Sequence, residues 1–214
     1  MTTTTQLPPL ERAAAVGSDI AASAARHDLD GTFVAESLHV LREAGLLRMA
    51  VPRDLGGDGA SIAEVAQVQR ELAHHCASTA LATAMHQHVT LFTAWRHRRD
   101  MPGAEGTLRR VADEGIVLVS TGGADFTHPR GQATKVDGGY VVSGHKVFAS
   151  QSTAGDVMST MFAYDDPERG RRILNMSVPV PRMPRVSQLS RTVTPSARSG
   201  TAMLRTLRPS AGSS

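Results

Sequence analysis

The run VDGGYVVSGHKVFAS, Val136 to Ser150, closes on Lys146, Phe148 and Ser150, a cation, an aromatic ring and a hydroxyl at alternate positions. A D-G-G turn between two alternating segments predicts a β-hairpin, and period-two spacing puts Phe148 and Ser150 on one face of its second strand. An aromatic wall with a hydroxyl beside it suits a flat cofactor. The plainer alternative is an ordinary strand with Phe inward and Ser outward.

Histidines form the second candidate group. His74, His75, His86 and His88 come as HH and HQH, and neither spacing puts two imidazoles on one helical face as a zinc pair requires. Met85, His88 and Phe92 recur at helical spacing, which places His88 on an apolar stripe and turns His86 away from it. Cys76 is the one cysteine, so there is no intrachain disulfide, and a small packed thiol is expected at that helix end. Gly122 and Gly123 lack the G-x-G-x-x-G context of a dinucleotide fold. The stretch RHRRD, Arg96 to Asp100, reads as a solvated helix end.

The elements that must position these residues change period midway. Up to about Gly115 the pattern is helical. Leu10, Ala13, Ala14 and Ile20 to Ala24 mark a first helix. Thr32 is the expected cap of a second, which carries Val34, Leu38 and Leu41 and ends at Gly45. After the loop VPRDLGGDGAS, Ser61 and Glu64 form the capping box of a third helix. A fourth starts near Ser78 with Leu81, Met85, His88 and Phe92 along it, and Arg109 to Asp113 closes a fifth. Beyond Gly115, Ile116 to Ser120, the hairpin, Val157 to Tyr164 and Ile173 to Val180 read as strands.

Composition bounds the rest. The 214 residues are 41% apolar and 20% charged, with no run near the roughly 18 apolar residues of a membrane span and no secretory signal at the N-terminus. A cytoplasmic, non-membrane protein is expected. Arginine outnumbers lysine 21 to 2, and residues 185 to 214 hold five of those Arg and no acidic residue. Everything before them therefore nets −2 of the total +3. No basic stripe is interleaved with aromatics, so nucleic acid is not an expected partner.

The ordered set EAGLLRMAVPRDLGGDGAS, ASTALATAMHQH, DGGYVVSGHKVFAS and AGDVMSTMFAYDD resembles the acyl-CoA dehydrogenase family over roughly residues 10 to 184. The resemblance implies an α+β chain: a flexible N-terminus at 1–8, a helical bundle at 9–114, an incomplete antiparallel β-barrel domain at 115–184, and a disordered or non-native tail at 185–214. The family's C-terminal helical domain is expected to be absent from this chain. It further implies FAD as cofactor, acyl-CoA or a similar small molecule as substrate, oxidation of CH–CH groups, and full-length relatives that are homo-oligomers. Where the family has T-E-P-x-x-G-S-D, this chain has STGGADF, so Thr121 and Gly123 become flavin contacts while Ala124 lacks the serine hydroxyl. The K-x-W-I-T strand corresponds to Lys146 to Ser150, which puts Phe148 against the flavin ring and Ser150 by its reactive nitrogen. Met85, His86 and His88 are the substrate-pocket candidates.

The family's catalytic carboxylate lies in the missing domain, so no catalytic base is nominated and the chain is expected to be inactive. A related branch of flavin monooxygenases uses a histidine and a serine near the flavin, which His86 or His88 with Ser150 would imitate. A non-catalytic remnant or interaction module is the third reading. In the tail, shifting the reading frame leaves Thr194, Pro195, Ser196 and Ala197 compatible with the family's D-T-L-G segment, which implies a frameshift after about residue 185.

Overall fold

The computed structural model describes residues 7–121, 123–180, 191–195 and 202–205. The chain divides into two compact units: one runs to Val119 and takes back Ser150–Asp156, and the other holds Ser120–Ala149 and the residues from Val157 onward.

The first unit is built from six helices, α1 (Pro9–Ala15), α2 (Gly17–Asp30), α3 (Ala35–Glu43), α4 (Ile62–His75), α5 (Ala77–His97) and α6 (Ala104–Asp113). The single first helix expected from the sequence is two. The break falls at Val16, the cap shared by α1 and α2, and at Gly17, which follows it, an added Cβ would sit 2.3 Å from the His75 ring, so a larger residue there requires that side chain to move. Thr32 does not cap α3. Val34 is the N-cap, without a side-chain bond, and the Thr32 hydroxyl pairs with His27 Nδ1 at 2.8 Å. Ser61 and Glu64 do form the capping box of α4, and Gly45 leaves α3 in the left-handed conformation, φ 69°. Ile20, Leu38, Leu41, Leu46, Val68 and Leu72 lie in the core between these helices. The returning segment joins the same core through Ala154, with the Gln151 amide donating to the Leu118 carbonyl at 2.9 Å.

Strand β1 (Leu118–Ser120) runs across the division between the units. The second unit holds β2 (Gln132–Val136), β3 (Gly139–Ser143), β4 (Val157–Asp166), β5 (Gly170–Pro179), β6 (Arg191–Pro195) and β7 (Ala202–Arg205). The β2–β3 hairpin closes on Asp137 and Gly138, with Gly138 at φ 75°, as a D-G turn demands. The second strand is shorter than expected, however. It stops at Ser143, and the Lys146–Ser150 run is not a strand. The Gln132↔Ser143 pair is the last on the ladder. Beyond it, Gly144 crosses so close to Arg130 and Gly131 that an added Cβ would lie 2.4 Å from the Arg130 carbonyl oxygen, and the chain leaves the sheet.

The sheet is mixed rather than purely antiparallel, because β2 meets β4 in parallel at Gln132↔Ala163. β5 pairs antiparallel with β4 over ten residues, and the described strands do not close into a barrel. Ala133, Val142, Phe162, Tyr164, Met176 and Val178 form the small core of this unit. Two strands fall inside the stretch read as a patternless tail: β6 pairs with β3 and β7 with β6. Residues 196–201, which include Ser196 and Ala197 of the segment expected to be frame-shifted, lie outside the described residues, as does most of the remaining tail.

Candidate functional site

In the second unit a buried carboxylate organises the residues singled out by the sequence. After β1 the chain makes a 3-10 turn, Gly123–Phe126, that directs Asp125 inward, where it is 6% exposed. Its Oδ2 accepts from the Thr121 hydroxyl at 2.7 Å, the Lys146 ammonium at 2.8 Å and the Thr160 hydroxyl at 3.1 Å. Its Oδ1 accepts from the Arg130 amide at 2.9 Å. Burial pulls the Asp125 pKa upward, but the hydrogen bonds from Lys146, the Arg130 amide and Thr121, with the Lys146 charge, outweigh it and hold the carboxyl at about 2. Lys146 also donates to the Met161 carbonyl and lies 4.4 Å over the Phe162 ring.

Phe148, two residues beyond this anchor, is 79% exposed and stands in the left-handed region at φ 56°. Such a conformation is uncommon for a bulky residue. Gly123 opens on free space, with nothing within 4 Å of an added Cβ. An open aromatic face and an uncovered backbone fit a flat ring such as a flavin. Thr121 fits it less well. Its hydroxyl is committed to Asp125 and Thr160, and its amide to the Ser159 carbonyl at 3.4 Å. Ser150 is half-buried and belongs to the first unit. Sequence reading missed Asp125 and Lys146 as organisers, although Lys146 is one of only two lysines in an arginine-rich chain.

The helical candidates trade places. His86, expected to point away, is fully buried, while His88 is exposed and Met85 half-buried. His86 Nε2 donates to the Leu47 carbonyl at 2.6 Å and Nδ1 accepts the Leu118 amide at 3.0 Å, so both ring nitrogens are used and the ring is neutral. Burial pushes its pKa down to about 4, aided by Arg42 and opposed by the Leu47 hydrogen bond and Asp156.

The inward face of α5 carries Thr79, Thr83, His86, Gln87, Thr90 and Thr93 beside the small apolar residues Ala80, Ala82, Val89 and Ala94. Thr83, Thr90 and Thr93 bond back to carbonyls one turn earlier at 2.9, 2.8 and 2.7 Å. Three large apolar residues are exposed instead: Leu81 is 71% exposed, and Phe92 stacks on Trp95 at 5.8 Å. Among the described residues no three His, Cys, Asp or Glu side chains converge as metal ligands, and no helix is long and apolar enough to cross a membrane.

Known proteins resemble this chain in sequence and in fold. Residues 12–98 match the family profile "Acyl-CoA dehydrogenase, N-terminal domain". The chain belongs to the acyl-CoA dehydrogenase family. A putative acyl-CoA dehydrogenase of Bacillus subtilis (strain 168) is 30% identical over 162 residues, 69% of this chain and 40% of that protein. An amino sugar nitrososynthase of Streptomyces rubradiris is 35% identical over 144 residues, 62% of this chain and 33% of that protein. The acyl-CoA dehydrogenase-family chain thus spans well under half the length of these curated relatives. The X-ray structure of KijD3 with FMN and a dTDP-linked sugar superposes with a TM-score of 0.71 at 26% identity, over 95% of this chain and 53% of that one.

Proposed function

We propose that this chain forms part of a flavin-dependent oxidoreductase that uses FAD to oxidise CH–CH groups of acyl-CoA thioesters. The observation that carries the reading is Phe148, an aromatic ring held open to its surroundings beside the Asp125–Lys146 anchor. When bound, the flavin supplies a hydride acceptor. Phe148 covers a face of the ring and excludes water from it. The backbone at Gly123 leaves room for close approach. Asp125 stays ionised with four donors upon it, so it is an anchor and not a general base. The catalytic carboxylate is not among these residues.

A second reading, a flavin-dependent oxygenase of the same fold, is favoured by the 35% identity to a nitrososynthase and by the FMN bound to KijD3. His86 has no free nitrogen for such chemistry, which leaves His88 as the histidine candidate.

The experiment loads the purified protein with FAD or FMN and offers two substrates. Bleaching of the flavin by an acyl-CoA without oxygen supports the dehydrogenase. Oxygen uptake by reduced flavin together with an oxygenated amine supports the oxygenase instead. A chain that takes up neither FAD nor FMN contradicts both.

A further inference from the structure

Gly144 to Ala149 has no regular secondary structure, yet it is pinned twice within the second unit. At Gly144 the bare backbone crosses 130–131, where an added Cβ would stand 2.6 Å from Gly131 Cα as well as against the Arg130 carbonyl. At Lys146 the ammonium reaches three fixed groups: the Asp125 carboxylate on the 3-10 turn, and the Met161 carbonyl and Phe162 ring on β4. The pair is sequestered, with side-chain exposures of 10% for Lys146 and 7% for Asp125. Its far side is tied down too, since Thr121, Thr160 and the Arg130 amide hold Asp125 in place.

Phe148 follows two residues later at φ 56°, a conformation that is strained for a bulky residue. A ring 79% exposed gains too little packing to offset that strain. Its placement is imposed from upstream, by the anchors that fix the segment. A buried ion pair is weak evidence for stability, and a role in specifying conformation is better attested.

We propose that the buried Asp125–Lys146 pair is a positioning device: it holds residues 145–149 in the one conformation that presents Phe148, and thereby sets the affinity for flavin. The affinity part rests on the flavin reading above; the conformational part does not. Neither residue touches the cofactor.

The test uses the full chain and four variants: Lys146→Met, which keeps an apolar stem over Phe162; Asp125→Asn/Lys146→Met, which removes both charges and leaves no unpaired buried ion; Phe148→Gly; and Phe148→Gly/Lys146→Met. Backbone order parameters from NMR relaxation are read at residues 145–149 without flavin. FAD affinity is read by fluorescence titration. The order parameters of Val147 to Ala149 fall from about 0.85 towards 0.6 or below in both charge-removing variants, while those of β4 and β5 stay unchanged. FAD binding weakens about tenfold in Lys146→Met, and adding Lys146→Met to Phe148→Gly weakens it no further, because both changes act through one ring. Unchanged order at 145–149, or an equal tenfold loss in the Phe148→Gly background, overturns the proposal. If the unmodified chain takes up no flavin, the functional reading fails, and the order parameters alone decide whether the pair positions the segment.

Discussion

His86 shows how far one side chain's role depends on which face of its helix is buried. Helical spacing with Met85 and Phe92 singles out His88, yet His86 is the ring that ties the Leu47 carbonyl to the Leu118 amide. Its folded pKa of about 4 lies below the ordinary 6.5. Between those values the unfolded chain binds a proton that the folded chain does not, so this contribution to stability is complete above 6.5 and is lost as pH falls towards 4. A shift of that size corresponds to about 3 kcal/mol at most. The stability difference between the unmodified protein and His86→Gln, measured by urea unfolding, should therefore shrink between about pH 7.5 and about pH 4. A constant difference would mean that His86 does not titrate as its surroundings require. Asp125 and Lys146 were legible only as letters within two motifs. Their partnership spans 21 positions and depends on where a 3-10 turn aims one carboxylate.

Elements with local signals were readable, and those fixed by tertiary contact were not. The Ser61–Glu64 box starts α4 as its three-residue spacing predicts. Ser61→Ala removes the hydroxyl that accepts the Glu64 amide and should cost about 1 kcal/mol in thermal or urea unfolding. The D-G turn likewise placed the hairpin, but nothing local showed that β3 ends at Ser143, because the crossing of Gly144 over Arg130 joins distant residues. In α5 the period was right and the face wrong. An apolar stripe is normally the buried one, and here threonines that bond their own helix, with Gln87 donating to the Leu46 carbonyl at 2.9 Å, let polar residues go inside beside Ala80, Ala82, Val89 and Ala94. The consequence is measurable. Leu72→Ala in the core should cost about 2–5 kcal/mol, whereas Leu81→Ala on the outward stripe should stay within about 0.5 kcal/mol. Comparable losses at the two positions would show that the outward face of α5 is covered.

At the scale of the molecule, helices followed by a partial β-structure were legible from the change of period near Gly115 and from the order of four motifs. The sheet's mixed character was not, since one parallel contact between β2 and β4 leaves no mark on either strand's pattern. Family membership follows from the 30% identity to a putative acyl-CoA dehydrogenase over 69% of this chain, with the matched N-terminal domain in agreement. The functional account stands on one ring. Phe148→Gly removes the aromatic face and suits the backbone at φ 56°, so the variant should fold at least as well as the original. The most direct measurement is a fluorescence titration of FAD and FMN into both proteins. The account predicts that the unmodified chain binds flavin and that Phe148→Gly binds it about tenfold more weakly. Equal affinity in the two proteins, or no binding by the unmodified chain up to about 1 mM flavin, would contradict it.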